Sequence, residues 1–214
     1  VLSQRNALLK YFAANRTFES TTLNIYNEQL DAYGQKIYES RRQFIDSFSG
    51  ILQTRYKDIS QKDEDISVTY RSHLQNGELG PQLDKALQKD MALQYTSVGI
   101  HKDDLIFNIG NHPIKKFGSQ GQQKSYLIAL KFAQYDYLKN KNGVKPILLL
   151  DDIFDKLDKN RVKALMSLVS EHHFGQVFVT DANKTRIDEL FENIDTTLRI
   201  FEVQPDETKL ITEK

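Results

Sequence analysis

Two groups of residues in this chain have the types and spacing that do chemistry. Asp151 and Asp152 stand side by side after Pro146 and the apolar run Ile147 to Leu150. Such a run predicts a strand buried on both faces of a parallel sheet. In open α/β sheets, ligands lie beyond the carboxyl ends of the strands. Two adjacent carboxylates there repel one another and lose solvation unless a cation or a hydrogen-bond network compensates. Magnesium with a phosphate ligand is a common compensator, because it takes one or two carboxylates plus phosphate oxygens. One acid would hold the metal, and the other would position or deprotonate a water. The second group is Phe117-Gly118-Ser119-Gln120-Gly121-Gln122-Gln123-Lys124-Ser125, directly before a helical pattern. Small residues let the backbone approach a ligand, and a helix start offers free N–H groups to an anion. Each group also has a plain reading: solvated acids closing a strand, and an ordinary capped helix start.

Other acidic strand-end chemistries fit less well. A haloacid-dehalogenase type of phosphatase needs Asp-x-Asp-x-Thr, which Asp151-Asp152-Ile153-Phe154-Asp155 does not supply. A receiver domain needs its acids on two strands and a lysine on a third, and that set cannot be placed here.

The elements that position these groups divide the chain into a helical first part and a mixed remainder. Apolar residues at Leu23, Tyr26, Leu30, Tyr33, Ile37, Phe44, Phe48 and Ile51 predict one long helical stripe ending near Tyr56. A shorter helix with Leu2, Leu8 and Leu9 precedes it, with the break at Thr17–Thr22 and Ser20, Thr21 and Thr22 as cap candidates. Two such helices predict an antiparallel hairpin, either core packing or an arm. Ile66, Val68 and Tyr70 alternate as a strand, Leu83, Leu87 and Met91 mark a short helix, and Leu105, Phe107 and Ile109 alternate again. A helix over Tyr126–Leu138, the Ile147–Leu150 strand, a helix with Val162 and Leu165, and a strand at Val177–Val179 follow. Leu198–Val203 with Leu210 and Ile211 predict a closing hairpin. Strand–helix–strand alternation implies right-handed crossovers and a parallel sheet. The expected fold is α/β, with 1–95 as a helical arm and 96–214 as the site-bearing lobe.

Composition removes several classes. Twenty-nine basic and 29 acidic residues give zero formal net charge, which excludes a polycationic or acidic tail but not a local basic face. With no cysteine, there is no disulfide scaffold, thiolate zinc site or cysteine nucleophile. No apolar run reaches the roughly 20 residues that span a bilayer. No signal pattern opens the chain, which begins at Val1 in mid-pattern and is expected to be a piece of a longer protein. Between Pro113 and Pro146 stand Lys115, Lys116, Lys124, Lys131, Lys139, Lys141 and Lys145 against the single acid Asp136, a patch suited to phosphates.

The order of the motifs resembles the ATP-binding-cassette ATPases. Ser119-Gln120-Gly121-Gln122-Gln123-Lys124-Ser125 is similar to their signature, Ile147 to Asp152 to Walker B, Asp155-Lys156-Leu157-Asp158 to the D-loop, and Val177 to Asp181 to the switch strand. Within that superfamily the wording resembles the RecF family, which also carries a segment similar to Gly99-Ile100-His101-Lys102-Asp103-Asp104-Leu105. The resemblance implies an ABC-type head lobe in which ATP is sandwiched between two heads. Ser119, Gln120, Gly121, Gln122 and Lys124 would face the partner's nucleotide, and Asp158 would lie at the dimer seam. Asp151 would serve Mg2+, and Asp152 would take the catalytic place where most cassette ATPases carry Glu. His101, Lys102, Asp103, Asp104, Thr180 and Asp181 would be accessory. It further implies DNA binding near single-strand gaps, RecA loading with RecO and RecR, an ATP-dependent homodimer, and a cytoplasmic, nucleoid-associated place.

Departures matter equally. Asp152 is shorter than Glu, which suits slow hydrolysis. Asp181 stands where many relatives carry a switch His, and Ile100 and Lys102 replace Pro and Arg. No G-x-x-x-x-G-K-[ST] occurs, so no loop here can cradle β- and γ-phosphates, and the chain alone is expected to be inactive. The competing readings are a head fragment of another SMC-like ATPase, whose arms are far longer, and a non-catalytic interaction module.

Overall fold

No proline interrupts the stretch from Ser20 to Ser60, and it forms a single helix, α2, of 41 residues. A shorter helix, α1 (Leu2–Asn15), precedes it. The computed structural model describes residues 1–155, 157–170, 173–183 and 197–213. Among them, no helix is long and apolar enough to cross a membrane. The chain forms two compact units: 1–50 with 66–113, and 51–65 with 114–214.

In the first unit, α1 and the start of α2 form the expected antiparallel hairpin. Arg5 meets Asn27, while Leu9 and Phe12 share a core with Leu23. The cap differs from expectation. Glu19, not Ser20, Thr21 or Thr22, closes the helix start, accepting from Thr21 N–H at 2.6 Å and Thr22 N–H at 2.9 Å. Those hydrogen bonds, Thr22's foremost, hold its carboxyl down at about 2. Helix α3 (Leu79–Leu93) packs Leu87 and Met91 onto the same core. Its first N–H, on Leu79, donates to Asp31 at 2.9 Å. At the centre, Arg5 and Asp90 form an ion pair at 2.8 Å with both side chains fully buried. Arg5 also donates to Asn27 and Thr96.

The strand expected at Ile66 is β1 (Ile66–Arg71), with Ile66, Val68 and Tyr70 buried in alternation. It pairs antiparallel with β2 (Asp104–Ile109), from Ile66 opposite Ile109 to Arg71 opposite Asp104, and β2 pairs with the two-residue β3 (His112–Pro113). This pairing draws residues 96–113 into the first unit, so the units do not follow the boundary drawn after residue 95. Local periodicity carries no trace of a partner more than thirty residues away.

The buried register of α2 also corrects the expected stripe. Leu23, Asn27, Gly34, Ile45, Phe48, Leu52, Tyr56 and Ile59 face inward, whereas Tyr33 (55%), Ile37 (38%) and Phe44 (36%) are exposed.

In the second unit, a four-residue helix α4 (Ile114–Phe117) leads through Gly118 into α5 (Gln120–Asn142). A Cβ on Gly118 would lie 2.6 Å from Ile114 Cγ1 and 2.8 Å from the Ile114 carbonyl oxygen, so the turn requires glycine. α5 buries Tyr126, Ile128, Ala129, Phe132, Ala133 and Tyr135. Strand β4 (Leu148–Asp151) pairs parallel with β5 (Val177–Thr180), and α6 (Lys159–Ser170) crosses between them. β4 is not buried on both faces as the apolar run suggests: Leu148 and Leu150 are buried, but Leu149 is 70% exposed. The closing hairpin is β6 (Arg199–Gln204) with β7 (Glu207–Glu213).

Candidate functional site

The turn before α5 is a capping box. Ser119 Oγ accepts from Gln122 N–H at 3.2 Å, and Gln122 Oε1 accepts from Ser119 N–H at 2.8 Å. Gln123 N–H reaches the Ser119 carbonyl at 2.9 Å. The N–H groups of Gln120 and Gly121 belong to the first helical turn, where no intrahelical acceptor exists. Ser119 and Gln120 are exposed. With its lone pair engaged by Gln122, the Ser119 hydroxyl still has a proton to donate outward.

A residue that the sequence does not flag holds this turn. Glu64, in the loop after α2, accepts from Gln122 Nε2 at 3.0 Å and from the Tyr56 hydroxyl at 2.6 Å. Burial alone would raise the Glu64 carboxyl, but the hydrogen bonds from Tyr56 and Gln122 outweigh it and hold it below its ordinary value. Burial, then the bond to Glu64, pushes the Tyr56 phenol well up, so it remains a donor. Both ends of the Gln122 amide are therefore committed within the protein. Of the signature-like residues, Ser119 and the first-turn N–H groups are among the outward donors.

The acidic strand end is built by the β4–β5 pairing. Asp151 stands opposite Thr180, whose hydroxyl donates to Asp151 Oδ1. At Asp152 the chain leaves the strand with φ at 46°, in the left-handed region that Asp tolerates better than most residues. Its N–H donates to the Thr180 carbonyl at 3.2 Å. The two acids thus do not continue the two-face alternation of the strand, and both are exposed. Lys124 Nζ donates to the Asp152 carbonyl at 2.8 Å, joining the α5 start to the acidic end.

The remaining expected residues have local work. Asp158 caps α6, accepting from Arg161 N–H at 3.0 Å. Lys156 of the same stretch lies outside the described residues. Asp181 Oδ1 accepts from Asn183 N–H at 2.6 Å, closing the turn after β5. His101, Lys102, Asp103 and Asp104 belong to the first unit. There Asp103 is gripped by Arg41 at 2.6 Å and by the Tyr70 hydroxyl. Asp104 pairs with Arg71 at 3.2 Å, and a ring nitrogen of His101 meets the Thr96 carbonyl at 2.9 Å. Of the seven lysines, Lys124 and Lys139 bond to backbone carbonyls and Lys141 lies over Tyr137, while Lys115, Lys116 and Lys131 are exposed.

Among the described residues, no group of three or more His, Asp or Glu side chains could hold a metal. The exposed Asp151, with a hydroxyl beside it, fits magnesium only as an ion that takes most of its ligands from phosphate oxygens and water.

A parallel strand ending in two acids, tied by a lysine to the capped start of a long helix, is the arrangement that the resemblance to the ABC-type, SMC-like ATPase heads implies. No model of a protein family matches the chain. It is 51% identical over 201 residues to the DNA replication and repair protein RecF of Flavobacterium johnsoniae, covering 94% of this chain and 56% of that protein. The RecF of Phocaeicola vulgatus is 41% identical over 207 residues, covering 96% and 55%. A solved structure of the recombination mediator protein RecF with ATP, in the RecFOR pathway, superposes with a TM-score of 0.77 at 25% identity, covering 99% of this chain and 56% of that one. An SMC head bound to the C-terminal winged-helix domain of ScpA shares the fold at 13% identity and a TM-score of 0.51, covering 88% and 48%. Over nearly its whole length the chain is similar to part of the RecF proteins, and it spans about half the length of the curated relatives it matches.

Proposed function

We propose that this chain forms the signature-bearing part of an ATP-binding DNA repair protein, and that it supplies half of a nucleotide site completed by a second copy. The observation that carries this reading is the exposed start of α5, which a capping box fixes while the Gln120 and Gly121 N–H groups stay free of intrahelical acceptors. The Ser119 hydroxyl and the Gln120 and Gly121 N–H groups are presented to an anion from outside the unit, and Gln122 is held back to keep the turn rigid. Asp158 lies at the seam between copies. Bound magnesium would offset phosphate charge beside Asp151, which Thr180 orients. Asp152, set off the strand axis, positions or deprotonates the attacking water. DNA is the polymer on which the intact protein acts, at single-strand gaps and with RecO, RecR and RecA, and the exposed lysines near α4 and α5 are placed to meet phosphates.

The test uses the full-length protein carrying this chain. Asp152→Asn should slow ATP turnover by at least ~100-fold while ATP-dependent dimerisation, followed by sedimentation, persists. Ser119→Arg should abolish both. Residues 1–214 alone should turn over no ATP, and turnover by that chain that disappears in Asp152→Asn overturns the composite site.

A further inference from the structure

The first unit carries a basic pocket that the nucleotide reading does not use. A cavity of about 560 Å³ is lined by Arg71, His73, Lys89, Tyr95, Ser97 and Lys102 among others, and no carboxylate lines it. Arg71 is partly offset by Asp104 at 3.2 Å, but Lys89 has no acidic partner among the described residues. Lys102 Nζ sits 5.3 Å from the centroid of the Tyr95 ring, and Tyr95 is 42% exposed. His73 Nδ1 accepts from Gly99 N–H at 3.1 Å, so the neutral ring carries its proton on Nε2 and keeps a donor. Ser97 Oγ is buried with no hydrogen-bond partner among the described residues.

Clustered cations beside an exposed aromatic ring are the chemistry that holds an unpaired nucleotide: the cations take the phosphate, and the ring takes the base face. We infer that this pocket, formed by Lys89, Lys102, His73 and Tyr95, binds single-stranded nucleic acid, one nucleotide deep. The inference rests on the reading of the intact protein as DNA-binding, and it uses residues of the first unit rather than the lysines near α4 and α5. Lys89 and Lys102 are exposed, so their replacement leaves the core intact.

The measurement is fluorescence anisotropy of a labelled oligothymidylate with the full-length protein across a salt series. Lys89→Gln with Lys102→Gln should lower affinity about tenfold and flatten the salt slope by about 1.4, the share of two phosphates on a single strand. Tyr95→Ala should weaken binding about tenfold, and Tyr95→Phe should restore it. Wild-type binding that these variants leave untouched, in affinity and slope, overturns the pocket alone. No binding by the wild type overturns the pocket and the DNA-binding reading together. Equal losses on a duplex, with indifference to Tyr95→Ala, overturn the single-strand assignment.

Discussion

Glu64 is the side chain on which the signature-like turn depends most directly. Its two oxygens take the Tyr56 hydroxyl and the Gln122 amide, and the other end of that amide closes the capping box on Ser119. Removing the carboxylate frees Gln122 to rotate and leaves the hydroxyl of the fully buried Tyr56 unpaired. Glu64→Ala should therefore cost about 1–3 kcal/mol of stability in a thermal melt, the cost of leaving a buried donor without its acceptor. It should also lower ATP turnover of the full-length protein through the loosened turn, with Glu64→Gln recovering part of each loss. The pH dependence has a definite sign. The folded carboxyl titrates below its unfolded value of roughly 4.3, so its contribution is complete above that pH. It is lost as the pH falls through the lower, folded value. The advantage of wild type over Glu64→Gln in melts should shrink as the pH is lowered below the unfolded value, and a difference that grows on acidification would contradict the assignment.

Elements show where local pattern suffices and where it fails. The acidic strand end and the start of α5 are legible because residue types punctuate them: an apolar run stopped by Asp151-Asp152, and small polar residues before a helical period. β1 and β2 are legible as strands, but their pairing is not, because register between distant segments leaves no mark in either one. The inward face of α2 misleads for a different reason. Tyr33, Ile37 and Phe44 keep helical spacing on an exposed side, while Asn27 and Gly34 hold buried positions that a hydrophobic count passes over. Glu64 was invisible as a lone acid 58 residues from its partner. The same blindness covers Arg5 and Asp90, which look like surface charges in the helices α1 and α3 and form a fully buried pair. Breaking such a pair strands a charge in the interior, at about 3–5 kcal/mol. Asp90→Ala should cost that much in denaturant unfolding, whereas Arg42→Ala, which removes an exposed pair with Glu39, should leave the unfolding midpoint nearly unchanged. Equal costs would mean that Arg5 finds water when its partner is gone.

At the scale of the whole molecule, the feature that calls for more chain is the uncovered face of the β4–β5 sheet. Leu149 and Phe178 are register partners and are 70% and 50% exposed, with Ile147 beside them at 60%. Parallel sheets are found covered on both faces, and contiguous apolar patches on a finished surface are rare. The RecF relatives are nearly twice as long as the stretch matched here, so polypeptide of the right amount exists to cover this face in a protein of their length. Each side chain brought out of water there contributes about 1.5–3 kcal/mol. The double variant Leu149→Lys with Phe178→Lys therefore has opposite consequences in two settings. In residues 1–214 alone it should reduce self-association by light scattering and binding of an apolar dye, because a sticky face becomes charged. In the full-length protein it should destabilise by about 3–6 kcal/mol and lower ATP turnover, because the lysines must be buried or the covering layer displaced. A full-length protein that tolerates both lysines without loss of melting temperature would show that this face meets solvent in the finished molecule, and the acidic strand end would then have to work without a second layer beneath it.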